Sequence, residues 1–214
     1  MSYLFGIYGT GGCGRGIMPI MASKDGPPNS RYVFVDDNAV TKTCNGFRVL
    51  SLSEFMKVAC KRRYIAVAIA DPDARRNVAI RCVTEGLDFF EVRAQQVVQM
   101  DNVTIGEGAL ISPFVTFTSN IQIGSHFHAN LYSYVEHDCI IGDYVTFAPG
   151  VRCNGHVHIG NGAYIGSGAI IKQGSGRKPL VIGQSAVVGM GAVVIKDVPA
   201  GATVVGNPAR IMER

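Results

Sequence analysis

From residue 103 onward, an apolar residue recurs at every sixth position of the chain. The positions are Ile105, Ile111, Phe117, Ile123, Ala129, Val135, Ile141, Phe147, Cys153, Ile159, Ile165 and Ile171. Mostly small or branched residues stand two positions before them. The register breaks once, between Ile171 and Ile182, and then resumes. A hexapeptide period predicts a parallel β-helix, and the extra segment KQGSGRKP (172–179) is expected to leave it as a loop.

The first 95 residues follow a different pattern, in which apolar runs alternate with helix-like segments. The strand-like runs are YLFGIY (3–8), RYVFVDD (31–37) and YIAVAIAD (64–71), and helical patterns cover 51–63 and 71–86. Asp71 and Pro72 suit the cap and the first turn of the second helix. This alternation predicts a small Rossmann-like α/β unit with a parallel sheet of about four strands. We therefore expect two domains, 1–95 and 96–214.

Composition and charge narrow the classes of function. The net charge is only +4, which does not indicate a nucleic-acid partner. Six scattered cysteines without a CxxC motif favour free thiols in a reducing compartment. No apolar run approaches the roughly 20 residues that span a bilayer, and the N-terminus lacks the charged region of a signal peptide. We expect a cytoplasmic protein without membrane partners.

The segment SYVEHDCIIG (133–142) places three ionisable residues inside an apolar repeat. Because Val135 is an inward position, His137 and Asp138 are predicted near a corner, facing outward. Residues 18 apart stack on successive coils, at a spacing of about 4.8 Å. Gly155 therefore lies beside His137 and is expected to leave room for another molecule. Asp138 suits the orientation of a general base, and a solvated polar corner is the alternative.

The remaining histidines form two pairs with the spacing of metal ligands. His126 and His128 are 30 residues before His156 and His158, and 30 is not a multiple of 18. The pairs are thus expected on different faces, so we predict no metal site shared between them. His156 stacks on Asp138 and is expected to tune that carboxylate.

A glycine loop follows the first predicted strand. Gly9, Gly11 and Gly14 fit G-x-G-x-x-G, whose backbone amides suit a diphosphate at a helix N-terminus. Asp36 and Asp37 follow the second strand, where a carboxylate accepts ribose hydroxyls or a base N–H. That geometry would also serve NAD, but the hexapeptide half supplies no nicotinamide-facing domain.

Four segments carry a resemblance to a known family: GTGGCG, FVDD, EHD and VPAGATVVGNPAR. The chain resembles bacterial nucleotide-sugar acetyltransferases related to the sialic acid O-acetyltransferase family, most closely the UDP-4-amino-sugar N-acetyltransferases. The resemblance implies a left-handed β-helix and a homotrimer with acetyl-CoA between neighbouring prisms. It also implies a UDP-sugar on the N-terminal domain, with His137 as the general base and Asp138 raising its basicity.

The resemblance also assigns ligand contacts. It implies nucleotide-site roles for Gly11, Gly12, Cys13 and Ala70. Gly9, Asp36 and Asp37 are expected at the same site. The residues expected at acetyl-CoA are Thr146, Gly155, Ser167, Met190, Arg177 and Lys178. The last two lie on the basic loop, one coil beyond Gly155, and suit the CoA phosphates as charge-assisted contacts. A merely solvated loop is the alternative. Cys13 and Arg15 depart from the usual loop residues, and Thr146 replaces a second imidazole of some relatives.

Together these features predict acetyl transfer from acetyl-CoA to the 4-amino group of a UDP-linked amino-deoxysugar. The amine attacks the thioester directly, without an acyl-enzyme and without a metal. Cys139 is near His137 but occupies an inward position, so we expect it in the core. Two alternatives stay open: O-acetylation of a sialic acid, and a non-catalytic nucleotide-sugar sensor or scaffold.

Overall fold

The computed structural model describes residues 2–23 and 27–212. The chain divides into two compact units, Met1–Val92 and Arg93–Arg214. The division lies a few residues before the predicted boundary at residue 95.

In its described residues, the N-terminal unit is a mainly parallel sheet accompanied by three helices. Its elements are β1 (Tyr3–Tyr8), α1 (Gly12–Ala22), β2 (Arg31–Val35), β3 (Thr43–Cys44), β4 (Phe47–Leu50), α2 (Leu52–Lys57), β5 (Arg62–Val67), α3 (Pro72–Thr84) and β6 (Asp88–Phe89). The strand order is β3-β4-β2-β1-β5-β6, and only β3 pairs antiparallel. The sheet has six strands where about four were expected. The two edge strands, β3 and β6, have two residues each, which is too short to produce a sequence pattern.

The helices of this unit begin where the sequence predicts, but one ends early. In α3 the Asp71 carboxylate accepts a hydrogen bond from the Ala74 amide at 2.7 Å, and Pro72 opens the first turn, as predicted. Helix α2 begins with a capping box at Ser51. The predicted helix 51–63 was too long, because Val58 adopts an extended conformation and the chain turns toward β5.

The C-terminal unit is a coil of short parallel strands. Its elements are β7 (Val92–Arg93), β8 (Val98–Gln99), β9 (Val103–Ile105), β10 (Leu110–Ile111), β11 (Thr116–Phe117), β12 (Ile121–Ile123), β13 (His128–Ala129), β14 (Tyr134–Val135), β15 (Ile140–Ile141), β16 (Thr146–Phe147), β17 (Arg152–Cys153), β18 (Val157–Ile159), β19 (Tyr164–Ile165), β20 (Ile170–Ile171), β21 (Leu180–Ile182), β22 (Val187–Val188), β23 (Val193–Val194), β24 (Thr203–Val205) and β25 (Arg210–Ile211).

These strands form three sheets, which are the faces of a left-handed β-helix, as predicted. The first face runs β7-β10-β13-β16-β19-β22-β24-β25, the second β8-β11-β14-β17-β20-β23, and the third β9-β12-β15-β18-β21. Pairing is parallel except between β24 and β25. Phe117 pairs with Val135 and Val135 with Cys153, so neighbours in a sheet are 18 residues apart.

The interior of the β-helix is filled by the two residue columns that the period identifies. From residue 109 to residue 171, the six-step positions and the small residues before them form one continuous buried cluster, against which Val103 and Ile105 pack partly buried. Burying each valine, isoleucine or phenylalanine contributes about 1.5–3 kcal/mol. Ser133 is a polar member of the second column, and its hydroxyl donates to the Asn130 carbonyl at 2.7 Å. The hexapeptide pattern is therefore the pattern of the core.

The chain leaves the repeat at residues 172–179, between β20 and β21, as predicted. Ser175 and Lys178 pair across this turn, so the extra residues form a small hairpin-like loop. It lies on the edge between the second and third faces, the same edge that carries His137. Among residues 2–23 and 27–212, no helix has the length and hydropathy of a bilayer-spanning segment.

Candidate active site

His137 and Asp138 form a hydrogen-bonded pair on the edge between the second and third faces. They lie in the turn between β14 and β15, where Asp138 adopts the left-handed conformation with φ 58°. Nδ1 of His137 is 2.8 Å from Oδ2 of Asp138, and 49% of the His137 side chain is exposed. The hydrogen bond from His137, helped by one from Asn120, holds the pKa of Asp138 below its usual range. The carboxylate therefore stays charged and can stabilise an imidazolium.

The next coil contacts this pair at two residues. A Cβ added to Gly155 would lie 2.6 Å from Cε1 and Nε2 of His137. The space beside Gly155 is thus filled by the His137 ring, whereas the sequence suggested room for another molecule. His156 stacks on Asp138 as expected, with Nε2 3.6 Å from Oδ2, and its ring meets His137 edge to face at 5.1 Å.

One group among the described residues has the composition of a metal site. Ligand atoms of His137, Asp138 and His156 lie within 4.8 Å of one another. Two imidazoles and a carboxylate suit zinc. Of the two histidine pairs noted in the sequence, only His156 belongs to this group in the described part of the chain.

Cys139 follows the pair in sequence but does not join it. Its side chain is fully buried, and its thiol is 3.3 Å from the Asn154 carbonyl oxygen. The prediction that Cys139 belongs to the core is confirmed.

The second site is a cavity of about 560 Å³ at the carboxyl ends of β1, β2 and β5. All seven predicted substrate-binding residues line it: Gly9, Gly11, Gly12, Cys13, Asp36, Asp37 and Ala70. In open parallel sheets, ligands bind at this edge. The fold therefore brings the whole predicted set together.

The glycines of this loop have different structural roles. Gly9 has φ +110°, which strains any other residue, and a Cβ on Gly14 would collide with the Gly9 carbonyl oxygen. At Gly11 and Gly12 the φ is ordinary and a Cβ would meet nothing within 4 Å. These two glycines leave the start of α1 open, where backbone N–H groups and the helix dipole favour an anion.

The two carboxylates of the cavity are held by the protein itself. Asp36 accepts hydrogen bonds from the amide and hydroxyl of Thr10, at 3.1 and 2.6 Å, and from the Asn38 amide at 3.0 Å. With three of about four acceptor positions used, Asp36 retains one for a ligand. The sequence identified the carboxylate but not the donors that orient it.

Asp37 belongs to a network that the sequence did not indicate. It accepts from the Tyr8 hydroxyl at 2.6 Å, from Arg81 at 2.8 Å and from the Leu52 amide at 2.8 Å. Partial burial acts to raise the pKa of Asp37, but these donors together hold it below its usual range. Burial and the Asp37 contact raise the pKa of Tyr8, so the phenol stays protonated. Arg81 gives the cavity a cation that comes from α3.

The residues predicted at acetyl-CoA lie on two separate edges of the β-helix. Gly155 and the loop 172–179 share the edge of His137. Ser167 and Met190 are exposed and lie in successive turns between the first and second faces, where Gly191 donates its amide to the Ser167 carbonyl at 2.8 Å. One chain does not bring the two groups together.

Thr146 departs from the prediction. It lies in β16 with 1% of its surface exposed, so it offers no surface to a cofactor in this structure. On the basic loop, Lys178 lines a cavity of about 500 Å³ together with Lys172 and Lys196. Three lysines and one carboxylate, that of Asp197, give the cavity a positive excess, which suits a phosphate-bearing ligand. Arg177 does not line that cavity.

A left-handed hexapeptide β-helix with an exposed imidazole–carboxylate pair on one edge defines a hexapeptide-repeat acyltransferase. Residues 5–82 match the PglD N-terminal domain family. The GDP-perosamine N-acetyltransferase of Escherichia coli O157:H7 is 50% identical over 99% of this chain and 97% of its own length. The chain therefore belongs to the nucleotide-sugar branch of the hexapeptide acetyltransferase family.

Two solved structures share the whole architecture. WeeI from Acinetobacter baumannii AYE is 48% identical with a TM-score of 0.94, over 98% of this chain and 100% of its own. PerB from Caulobacter crescentus, in complex with CoA and GDP-perosamine, has a TM-score of 0.87 over 98% and 97% of the two chains. Its identity of 23% shows the shared fold alone.

Proposed function

We propose that this protein transfers the acetyl group of acetyl-CoA to the 4-amino group of a nucleotide-linked amino-deoxysugar, with His137 as the general base. The observation that carries the proposal is the 2.8 Å contact between Nδ1 of His137 and the Asp138 carboxylate on an exposed edge. This contact leaves Nε2 of His137 as the proton acceptor. The identity of 50% to a GDP-perosamine N-acetyltransferase over nearly the whole chain supports the amine as acceptor.

In the proposed reaction the sugar nitrogen attacks the thioester carbonyl carbon directly. A C–N bond forms, and Nε2 of His137 takes the proton that the nitrogen loses. The C–S bond then breaks, and the leaving CoA thiolate takes this proton from the His137 imidazolium, which restores the neutral base. Asp138 stabilises the imidazolium while it carries this proton. Cys139 has no part in the transfer, because it is buried in the core.

We place the nucleotide in the cavity of the N-terminal unit, with its diphosphate at the start of α1. Gly11 and Gly12 support this placement. Their backbone conformations allow other residues, and a Cβ added at either position would meet no neighbouring atom, so the protein's own structure does not require glycine there. A ligand that approaches the backbone closely accounts for them. Arg81 supplies a further donor within the same cavity.

The base we propose is guanine. The sequence resemblance suggested uracil, but the full-length relative takes its name from a GDP-linked sugar. Guanine presents two adjacent N–H donors, and uracil presents one. Asp36 and Asp37 both line the cavity, and each retains one acceptor position, which suits two donors.

We propose a homotrimer with acetyl-CoA bound between neighbouring β-helices. The predicted cofactor residues lie on two edges of one chain, so a second copy is needed to bring them together. Cyclic oligomers bring different edges of identical subunits into contact. Sedimentation that finds a stable, fully active monomer contradicts this arrangement.

The test is acetylation of matched acceptors. The protein is incubated with acetyl-CoA and with GDP- or UDP-linked 4-amino sugars or a sialic acid, and the products are identified by mass spectrometry before and after mild base, which removes O-acetyl but not N-acetyl groups. We expect a base-stable product with the GDP-linked amine. His137→Ala should lower kcat by about 10²–10⁴ with little change in nucleotide-sugar affinity. Failure to acetylate any nucleotide amino sugar refutes the proposal.

A further inference from the structure

A column of four residues runs along the edge that carries His137. Asn102, Asn120, Asp138 and His156 are 18 residues apart, and their φ angles are 52°, 57°, 58° and 54°. We call these four residues the edge column. Because each has the same left-handed conformation on successive coils, their side chains project in the same direction, one above the next.

The side chains of the edge column form a directed series of hydrogen bonds. Nδ2 of Asn120 donates to Oδ1 of Asp138 at 3.2 Å, and Nδ2 of Asn102 donates to Oδ1 of Asn120 at 2.9 Å. The direction follows from chemistry, since an ionised carboxylate only accepts. The NH₂ group of Asn120 must face Asp138, so its oxygen faces Asn102.

As a result, the two carboxylate oxygens of Asp138 have different hydrogen-bond partners. Oδ1 is occupied by Asn120 from the preceding coil. Oδ2 is left for Nδ1 of His137 at 2.8 Å, with Nε2 of His156 at 3.6 Å on the following coil. An imidazole that donates from Nδ1 carries its lone pair on Nε2, which is the form a general base needs.

The backbone of these turns does not require asparagine. At the corresponding turns of the other two edges the left-handed position is filled by glycine at residues 108, 150, 162 and 168, and by larger residues such as Phe114, Tyr132 and Tyr144. Both asparagines are also exposed, so their hydrogen bonds contribute little to folding. Asparagine adopts the left-handed conformation more readily than most residues, but the turns of the other edges form without it, so conformation alone does not account for an amide at both positions.

We propose that Asn120 is a positioning residue for acetyl transfer. Its amide holds the Asp138 carboxylate so that Oδ2 fixes the His137 ring with Nδ1 protonated and Nε2 free. Asn102 has a supporting role, because it fixes the orientation of the Asn120 amide. The role in catalysis rests on the function proposed above, whereas the effect on the His137 ring does not.

Three variants and one control separate this role from a structural one. Asn120→Gly keeps the left-handed turn and removes the amide, and Asn102→Gly removes the support. Asn120→Asp keeps the shape and the contact to Asn102, but it places a second carboxylate against Asp138. Ser185→Gly is the control, since Ser185 has φ 53° on another edge.

With acetyl-CoA and the nucleotide amino sugar, Asn120→Asp should lower kcat about tenfold and Asn120→Gly about threefold, with both KM values within about twofold. Asn102→Gly should lower kcat less than Asn120→Gly, and Ser185→Gly should leave it unchanged. High salt should recover part of the Asn120→Asp loss, because exposed like charges are screened. A structural role predicts the reverse order, with the isosteric aspartate more active than glycine, and that order overturns the proposal.

A second readout needs no substrate. The ¹⁵N spectrum of the histidine side chains distinguishes the two neutral tautomers. We expect His137 of the wild type in the Nδ1–H form, and a mixture of tautomers in Asn120→Asp. If the tautomer is unchanged in both Asn120 variants, the positioning role is wrong, whatever their activity. If the tautomer shifts but the wild type acetylates no nucleotide amino sugar, the proposed function fails and the positioning of His137 stands.

Discussion

Replacing Gly155 with alanine tests whether the position of the His137 ring sets the rate of acetyl transfer. The added Cβ would lie 2.6 Å from Cε1 and Nε2 of the ring, and ordinary van der Waals contact begins at 3.4 Å. Because Gly155 has an ordinary φ and the other side of the contact is a partly exposed side chain, the ring and not the backbone should give way.

The size of the effect follows from the displacement that the contact requires. The ring must move by about 0.8 Å, the difference between those two distances. If the movement is directed away from Asp138, the 2.8 Å contact lengthens beyond hydrogen-bond distance. A misplacement near 1 Å costs about 10²-fold in rate, so we expect kcat to fall by roughly 10- to 100-fold. The free energy of unfolding should change by less than about 1 kcal/mol.

The assay is release of the CoA thiol at saturating acetyl-CoA and nucleotide amino sugar, with thermal unfolding followed in parallel. Gly16→Ala is the matched control, since a Cβ there meets nothing within 4 Å. It should leave kcat near wild type and raise the free energy of unfolding by up to about 1 kcal/mol, because alanine is favoured over glycine inside a helix. A Gly155→Ala variant that turns over within twofold of wild type refutes the reasoning. A large loss of stability would instead show that the lower kcat comes from damage to the fold.

Three further predictions concern the ligand contacts. Gly12→Ala should raise the KM for the nucleotide sugar several-fold without lowering the melting temperature, because its Cβ would occupy open space at the start of α1. An unchanged KM would show that the diphosphate does not bind at this loop. Arg177→Ala combined with Lys178→Ala should raise the KM for acetyl-CoA, more at low salt than at high salt, and leave the nucleotide-sugar KM unchanged; equal acetyl-CoA KM values at low salt identify a solvated loop. A chelator should leave turnover unchanged, whereas added zinc should inhibit wild type more strongly than His156→Ala, since the ligand atoms lie within 4.8 Å; activity lost on chelation contradicts the metal-free mechanism.

The sequence alone determined the β-helix and much of the His137 site, because a hexapeptide repeat turns distance along the chain into position in space. The six-residue period identified the core columns, and the 18-residue period placed Gly155 beside His137 and His156 beside Asp138. The edge column follows the same period, but the direction of its hydrogen bonds depends on which group of each amide faces the carboxylate. The orientation of each amide follows only from the side-chain positions in the structure.

The nucleotide cavity shows what only the tertiary structure decided. Motifs next to strand ends identified all seven predicted cavity residues, since parallel strands present their carboxyl ends at one edge. Tyr8 and Arg81, however, are 73 residues apart and meet only because α3 packs beside the sheet. The same packing buries Arg75, which donates to the carbonyls of Ile69 and Ala70. No local period relates such residues, so their contacts with one another arise from helix packing and not from a pattern in the chain.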